Sequence, residues 1–187
     1  MANSTIYFGY GSNLWKHQMV QRCPTSEYLG IARLNNYRWL INDRGYANVV
    51  KISNQTPMSS DEVWGLVYSL QREDEKRLDV NEGVPIAYTK ENLTVDFWVA
   101  HNGAQPNVTE TPQQIEMLVY IDRNRTKPDV PKKEYIYRMN MGIKDAMKEG
   151  MPKAYVDRVL RKFIPEAEDK TVAEFAMQQA ILFEDEN

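Results

Sequence analysis

The residues from 7 to 14, Tyr-Phe-Gly-Tyr-Gly-Ser-Asn-Leu, join a β-branched and aromatic run to a candidate helix start. Glycines at positions 9 and 11 permit close approach of a ligand to the backbone. Such a turn directs successive N–H groups into one concavity, and a helix N-terminus adds partial positive charge. The pattern therefore suits a carboxylate or phosphate, and it suits equally a strand-to-helix turn without a ligand. It matches neither the dinucleotide-binding nor the phosphate-binding glycine motif.

Glu82 is the candidate proton-transfer residue. It follows a short charged helix predicted over residues 71–81, and Gly83 after it can supply the left-handed helix cap. The negative end of the helix dipole and any burial both disfavour the carboxylate, so both would raise its pKa and improve it as a base near neutral pH. The residue types alone favour the simpler alternative, a solvated carboxylate at a helix end.

Tyrosine is unusually frequent, with eleven residues in the chain. Their hydroxyls could line a polar pocket, although half-buried packing roles are more common for tyrosine. The tyrosines include Tyr7, Tyr10, Tyr120, Tyr135 and Tyr137.

Other chemistries lack their residues in this sequence. Cys23 is the single cysteine, which excludes an internal disulfide and a thiolate zinc site, and we expect it to be a small buried hydrophobe. His17 and His101 lie far apart without ligand spacing, so we expect no metal and place His17 on a helix surface. Ser12 lacks the G-x-S-x-G nucleophile elbow.

Composition limits the class of protein. The chain has 187 residues, 42% hydrophobic and 26% charged, which is ordinary for a globular domain. Its net charge of −3 provides no basic footprint for nucleic acid or for a membrane surface. No apolar run is long enough to cross a bilayer, and the start lacks a signal-peptide pattern, so we expect a cytoplasmic protein.

The predicted elements place strands first and helices last, which favours an α+β fold rather than a doubly wound sheet. We predict one domain over residues 1–187, with a C-terminal helical extension from about residue 166. Asn13 suits a helix N-cap, and Thr171 with Glu174 forms a capping box. The predicted strands cover residues 4–10, 28–42 (one or two strands), 48–53, 61–70, 88–100 and 115–122, and the predicted helices cover residues 14–22, 71–81, 135–149, 154–164 and 171–184.

Inward helix positions follow from apolar spacing. The last three predicted helices present Ile136, Met139, Ile143 and Met147; Tyr155, Val159, Leu160 and Phe163; and Val172, Phe175, Ala176, Gln179 and Leu182.

Four segments, in order, resemble the γ-glutamylcyclotransferase family. Residues 10–14 (YGSNL) resemble its substrate-loop signature, and residues 61–68 (DEVWGLVY) resemble its central strand. Residues 78–84 (LDVNEGV) resemble the segment that carries its catalytic glutamate. Residues 141–144 and 149–152 resemble its helical hairpin, with the stop at residues 163–165. The resemblance covers about residues 5–165.

The resemblance implies a small mixed β-barrel-like sheet with flanking helices, no metal and no cofactor, and a homodimer. It implies a carbon–nitrogen lyase of glutathione metabolism that converts a γ-glutamyl amino acid or peptide to 5-oxoproline and the released amine. Glu82 takes the place of the acid/base. The residues implied to bind the γ-glutamyl group are Tyr7, Phe8, Gly9, Tyr10, Gly11, Ser12, Asn13 and Leu14.

Two further positions follow from the resemblance. Tyr120 matches a family tyrosine within a strand. Arg125 stands near the position of the family's loop tyrosine, so either Arg125 holds a substrate carboxylate or the register is shifted by one residue.

Three functions remain open at this point. The first is the cyclotransferase. The second is a non-catalytic module of the same fold that binds a γ-glutamyl-like ligand or a protein partner, although such a module has no need for a carboxylate at position 82. The third is a cyclotransferase for glutathione, a γ-glutamyl-amine or a specialised metabolite, a choice that depends on residues 43–60 and 123–134.

Overall fold

A five-stranded closed β-barrel forms the centre of the molecule in a computed structural model, which describes residues 4–53, 61–166 and 170–181. The barrel order is β1-β5-β2-β6-β7, and β3 and β4 form a separate hairpin. The strands are β1 (Thr5–Gly9), β2 (Glu27–Asn35), β3 (Tyr37–Ile41), β4 (Ala47–Lys51), β5 (Glu62–Leu70), β6 (Thr89–Val99) and β7 (Gln113–Ile121).

Five α-helices lie around the sheet in the part of the chain that the structure describes, and most of them follow the last strand, so the predicted α+β class is confirmed. They are α1 (Lys16–Arg22), α2 (Arg72–Asn81), α3 (Lys133–Lys148), α4 (Lys153–Arg158) and α5 (Ala173–Ile181). Short 3₁₀ turns precede α1 at Ser12–Leu14, follow α4 at Leu160–Lys162 and precede α5 at Lys170–Val172.

Barrel closure explains the apolar run of β5. Its neighbours β1 and β2 both pair antiparallel with it, and the parallel contact of Tyr7 with Leu118 joins β1 to β7. Seven of its nine residues are buried, as the sequence of a strand covered on both faces predicts. Gly65 allows β1 to approach β5 closely, because a Cβ at this position would lie 2.5 Å from the carbonyl oxygen of Gly9. The end of β1, where the candidate turn begins, is thereby fixed against the centre of the barrel.

The buried face of α3 is rotated from the predicted one. Met139 and Ile143 are buried as expected, but Met147 is 37% exposed and Ile136 only partly buried. The buried face instead includes Glu134 and Arg138, because an ion pair satisfies their charges. Gly142 lies on the same face, and a Cβ there would be 2.9 Å from the Cβ of Leu14, so the absence of a side chain lets α3 press on the turn after β1.

The two C-terminal helical segments differ in detail from the prediction. The 154–164 helix divides into α4 and a 3₁₀ turn, with Tyr155, Val159 and Leu160 buried as expected and Phe163 partly buried. The α5 helix begins at Ala173, after a 3₁₀ turn that includes Thr171, so the predicted capping box does not start it.

The inward positions of α5 are also shifted. Ala176, Gln179 and Ala180 are buried, whereas Phe175 is 37% exposed and Val172 is partly buried. Predicted inward position 182 lies outside the described residues. The helix packs against α1 and α3.

No helix in the described part of the chain is long and apolar enough to cross a membrane. Over the same residues, no group of three histidine, cysteine, aspartate or glutamate side chains is arranged to hold a metal ion. Cys23 is fully buried with its pKa raised to about 12 by burial, and His17 is exposed, both as expected.

Candidate active site

A cavity of about 50 Å³ lies where the turn after β1, the β3–β4 hairpin, α2 and α3 meet. Glu82 is the sole carboxylate among the described residues that line it. The lining residues are Tyr7, Tyr10, Gly11, Ser12, Asn13, Arg22, Tyr46, Ala47, Asn81, Glu82, Tyr88, Tyr120, Tyr135 and Arg138.

The turn after β1 is held by Tyr135. The amides of Ser12 and Ala47 both donate to its hydroxyl oxygen, at 3.1 Å and 3.3 Å. The Ser12 amide therefore has a protein acceptor, so it is already engaged rather than open toward an anion. Gly11 is required here, because a Cβ would lie 2.8 Å from that hydroxyl oxygen and 3.1 Å from the Cβ of Ala47.

The sequence position of Asn13 suggested a helix cap, but Asn13 does not cap a helix. It lies inside the 3₁₀ turn, where no side chain caps either this turn or α1, and its side chain faces the cavity. Its Oδ1 accepts hydrogen bonds from Gln18 Nε2 at 2.7 Å and from Arg22 Nη1 at 3.3 Å. These donors orient its Nδ2 toward Tyr7 Oη at 2.8 Å and Glu82 Oε1 at 3.2 Å. The two candidate segments of the sequence thus meet through Asn13.

Glu82 is the C-cap residue of α2, as predicted. Its amide donates to the Leu78 carbonyl at 2.8 Å, and Gly83 turns the chain with φ of 61°. The residue is partly exposed as a whole, while its carboxylate lies against the cavity. Burial raises the pKa of Glu82, and the positive charges of Arg22 and Arg138 offset part of that rise. The carboxyl group is therefore a stronger base than an exposed glutamate.

Two buried arginines lie on the wall behind Glu82. Arg138 is 1% exposed and forms a two-point ion pair with Glu134, at 2.7 Å and 3.1 Å, and it donates to Ser12 Oγ at 3.2 Å. Arg22 is 4% exposed, and burial lowers its pKa to about 10, which leaves it charged at neutral pH. The cavity therefore combines one carboxylate with a positive wall.

The Arg138–Glu134 pair gives a stability prediction. Glu134→Ala leaves a buried guanidinium without its carboxylate, and we expect the free energy of unfolding to fall by about 3–5 kcal/mol. Urea denaturation measures this loss. The double variant Glu134→Ala/Arg138→Met should recover much of it, since both charges are then removed. A loss below about 1 kcal/mol for the single variant would contradict the buried pair.

The cavity tyrosines remain protonated phenols. Burial raises the pKa values of Tyr7, Tyr10, Tyr88 and Tyr120. Their hydroxyls serve in hydrogen bonds: Tyr10 donates to the Tyr120 carbonyl at 2.6 Å, and Tyr88 donates to the Ala47 carbonyl at 2.7 Å. Proton transfer near neutral pH is therefore left to Glu82.

The predicted site residues divide into two groups. Tyr7, Tyr10, Gly11, Ser12, Asn13, Glu82 and Tyr120 line the cavity. Phe8, Gly9, Leu14 and Arg125 are not among the lining residues.

The residues outside the lining have other roles. Phe8 and Leu14 are fully buried in the core, and Gly9 ends β1. Arg125 instead forms ion pairs with Asp122 at 3.1 Å and with Asp43 at 3.4 Å. Its charge is thus used to hold the loop after β7 beside the hairpin turn.

Sequence reasoning missed six lining residues: Arg22, Tyr46, Ala47, Asn81, Tyr88 and Arg138. One local signal was present, because Glu134 and Arg138 stand four apart on the inward side of α3. Arg22 and the hairpin residues carry no such signal, since only the folded chain brings them to β1. Of the tyrosines considered together, Tyr137 lies apart from the cavity and meets Trp15 edge-on at 6.1 Å.

A family profile described as gamma-glutamyl cyclotransferase, AIG2-like, matches residues 7–137, which is well over half of the chain. The chain belongs to this family. The match includes the end of β1, the turn, the hairpin and Glu82, and it ends one residue before Arg138.

Relatives of this cyclotransferase family include the gamma-glutamylcyclotransferases of mouse and human. The mouse protein is 33% identical over 86 residues, 42% of this chain and 44% of its own. The human protein is 32% identical over 85 residues, 43% of this chain and 45% of its own. The matched segment thus spans less than half of these relatives.

Solved structures show the same fold. A structure titled gamma-glutamyl cyclotransferase superposes with a TM-score of 0.69 at 23% identity, covering 95% of this chain and 98% of the other. YkqA from Bacillus subtilis superposes with a TM-score of 0.62 at 16% identity, covering 88% of this chain and 56% of its own. The barrel-like fold implied by the sequence resemblance is confirmed.

Proposed function

We propose that the protein converts a γ-glutamyl amino acid or peptide to 5-oxoproline and a free amine, with Glu82 as the acid/base. The observation that carries this proposal is the 3.2 Å contact between the Glu82 carboxylate and Asn13 of the glycine-flanked turn, inside one cavity. The family membership and the mouse and human relatives support the same activity.

The reaction is an intramolecular aminolysis. The α-amine of the substrate attacks its own γ-carbonyl carbon, a new C–N bond closes the five-membered ring, and the γ-amide C–N bond breaks. Both reacting groups belong to one molecule, so the enzyme's task is to select the folded conformer. Glu82 takes a proton from the α-ammonium and returns one to the departing nitrogen, a role worth about 10²–10⁴-fold in rate.

The charges of the cavity suit the two ionic groups on the α-carbon of a glutamyl group. Its α-ammonium is attracted to Glu82, and its α-carboxylate to the positive wall that contains Arg138. Gly11 and Ser12 bring polar backbone to the same space. Backbone N–H groups of this turn other than that of Ser12 would stabilise a developing oxyanion. The γ-glutamyl contacts proposed are with Tyr7, Tyr10, Gly11, Ser12, Asn13 and Tyr120.

Activity should depend on pH in a defined direction. Burial raises the pKa of Glu82, so the carboxylate form that accepts a proton is populated only at higher pH than for an exposed glutamate. We expect kcat/KM to rise with pH through this value, with its acid limb above about 4.3, the ordinary glutamate pKa. Steady-state assays across the acidic range, with circular dichroism to verify folding, measure it. An acid limb at or below the ordinary value would contradict the base assignment.

Incubation with a panel of γ-glutamyl compounds tests the proposal directly. The panel contains γ-glutamyl amino acids, glutathione and a γ-glutamyl-amine, and the readout is 5-oxoproline. Release from at least one compound supports the proposal, and the preferred compound identifies the substrate. Release from none would favour a binding module of the same fold. We also propose a homodimer, on the family resemblance, and we keep the cytoplasmic location expected from the sequence.

A further inference from the structure

Arg22 is held by two backbone carbonyls of α5. Its Nε donates to the carbonyl oxygen of Ala180 at 2.9 Å, and its Nη2 donates to that of Gln179 at 3.0 Å. Both carbonyls belong to α5, which the structure describes up to Ile181. They offer two hydrogen-bond acceptors to a buried cation.

The same guanidinium reaches the cavity through Asn13. Arg22 Nη1 donates to Asn13 Oδ1 at 3.3 Å, and Gln18 Nε2 donates to that oxygen at 2.7 Å. With two donors on its oxygen, the Asn13 amide has its nitrogen fixed toward Glu82 Oε1, at 3.2 Å. A hydrogen bond to Oε1 leaves Oε2 as the oxygen available for proton transfer.

We propose that Arg22 is a positioning residue that acts on Glu82 through Asn13, and that α5 completes the active site by holding Arg22. The proposal deepens the proposed function and rests on it for its kinetic consequence. The orientation of Glu82, by contrast, is a property of the folded chain. The proposal gives the region from about residue 166 a role in the site, although this region lies beyond the family match.

The electrostatic surroundings of Glu82 come from every element around the cavity. Arg22, Arg138 and Arg44 lower its pKa, as does the hydrogen bond from Asn13. The other titratable groups that interact with it are Tyr7 of β1, Tyr10 just after β1, Cys23 after α1, Tyr88 before β6, Tyr120 of β7 and Tyr135 of α3. The tyrosines and Cys23 are uncharged near neutral pH, so loss of Arg22 removes one of the three cations and moves the pKa of Glu82 upward.

Two substitutions at Arg22 separate positioning from charge alone. Arg22→Gln removes the charge, while Arg22→Lys keeps it but cannot reach both α5 carbonyls and Asn13 with one planar group. We expect kcat to fall by about tenfold or more in both, with KM changed less than kcat. Arg72→Gln, at an exposed arginine of α2, is the matched control and should keep the wild-type rate.

Three results would overturn the positioning role. The first is a rate for Arg22→Lys within about twofold of the wild-type rate. The second is a raised KM with an unchanged kcat in Arg22→Gln. The third is full additivity of the losses in kcat caused by Arg22→Gln and Asn13→Leu. Transmission through Asn13 requires that Arg22→Gln cost far less when Asn13 is already leucine. Should Arg22→Gln fail to fold, Asn13→Leu alone tests the link from its other end, and a wild-type rate would overturn it.

The contribution of α5 has its own variant. Ala180 is fully buried. The larger side chain of Ala180→Leu overfills the packing of α5 against its neighbours and displaces the carbonyls that hold Arg22. We expect the kinetic pattern of Arg22→Gln, with the acid limb of kcat/KM moved to higher pH. Met177→Leu, at a side chain 46% exposed on the same helix, should change neither. A folded Ala180→Leu protein with a wild-type pH profile would overturn the role of α5.

A titration independent of turnover completes the test. Carboxyl ¹³C NMR of Glu82 in the full chain should show a higher midpoint in Arg22→Gln than in the wild type and in Arg72→Gln. An unchanged midpoint would overturn the proposal. If no γ-glutamyl compound is turned over but the midpoint moves, the proposed function fails while the link from Arg22 to Glu82 stands.

Discussion

Glu82→Gln should lower kcat by at least about 100-fold while leaving substrate affinity within about threefold. Glutamine has nearly the same shape and its Oε1 can still accept the hydrogen bond from Asn13, so the cavity keeps its form. It cannot take the proton from the α-ammonium, so the attacking amine stays protonated. Steady-state assay of 5-oxoproline and calorimetric titration with substrate measure the two quantities.

The matched control is Glu73→Gln, at an exposed carboxylate on the same helix, which should retain the wild-type rate. A Glu82→Gln enzyme with more than about a tenth of the wild-type rate would contradict the assignment. The variant should also resist urea better near neutral pH. Burial raises the pKa of Glu82, so the folded state loses stability as pH rises through that pKa, and glutamine removes this loss.

Gly11→Val should raise KM by about tenfold or more, because the added atoms occupy space that Tyr135 and the hairpin already fill. Even a single Cβ at this position would lie 2.8 Å from the Tyr135 hydroxyl oxygen. That oxygen accepts the amides of Ser12 and Ala47, so displacing it would loosen two walls of the cavity. Calorimetry with substrate in the Glu82→Gln background measures the affinity without turnover.

A graded series makes the second prediction specific. Gly11→Ala should have a smaller effect of the same kind, and Tyr135→Phe should reproduce part of it by removing the shared acceptor. An unchanged affinity in Gly11→Val would show that the turn does not contact the substrate. Circular dichroism on each variant separates a local change in the cavity from loss of the fold.

The sequence predicted most elements because local patterns decide them. The apolar run of β5, the charged helix before Glu82 and the glycine after it each indicate their structure without tertiary information. The prediction that Asn13 caps a helix was wrong, because Gln18 and Arg22 compete for its side chain in the folded protein. On α3, the buried face includes the Glu134–Arg138 ion pair, which apolar periodicity does not predict.

The candidate site was predictable only in part for a related reason. The β1 turn and Glu82 stand out by residue type, but their contact joins positions 69 residues apart. Arg22, Tyr88 and the hairpin residues lie in unremarkable sequence, and only the folded chain brings them to the cavity. The attachment of Arg22 to α5 joins positions 158 residues apart, a distance that no motif covers.

The point at which the family match stops has a practical consequence. It ends at residue 137, whereas Arg138 and the helix that anchors Arg22 come later in the chain. A shortened recombinant protein cut at that boundary would lose one guanidinium and expose the other. Searches confined to the recognised segment would also group chains that carry such a C-terminal anchor with chains that do not.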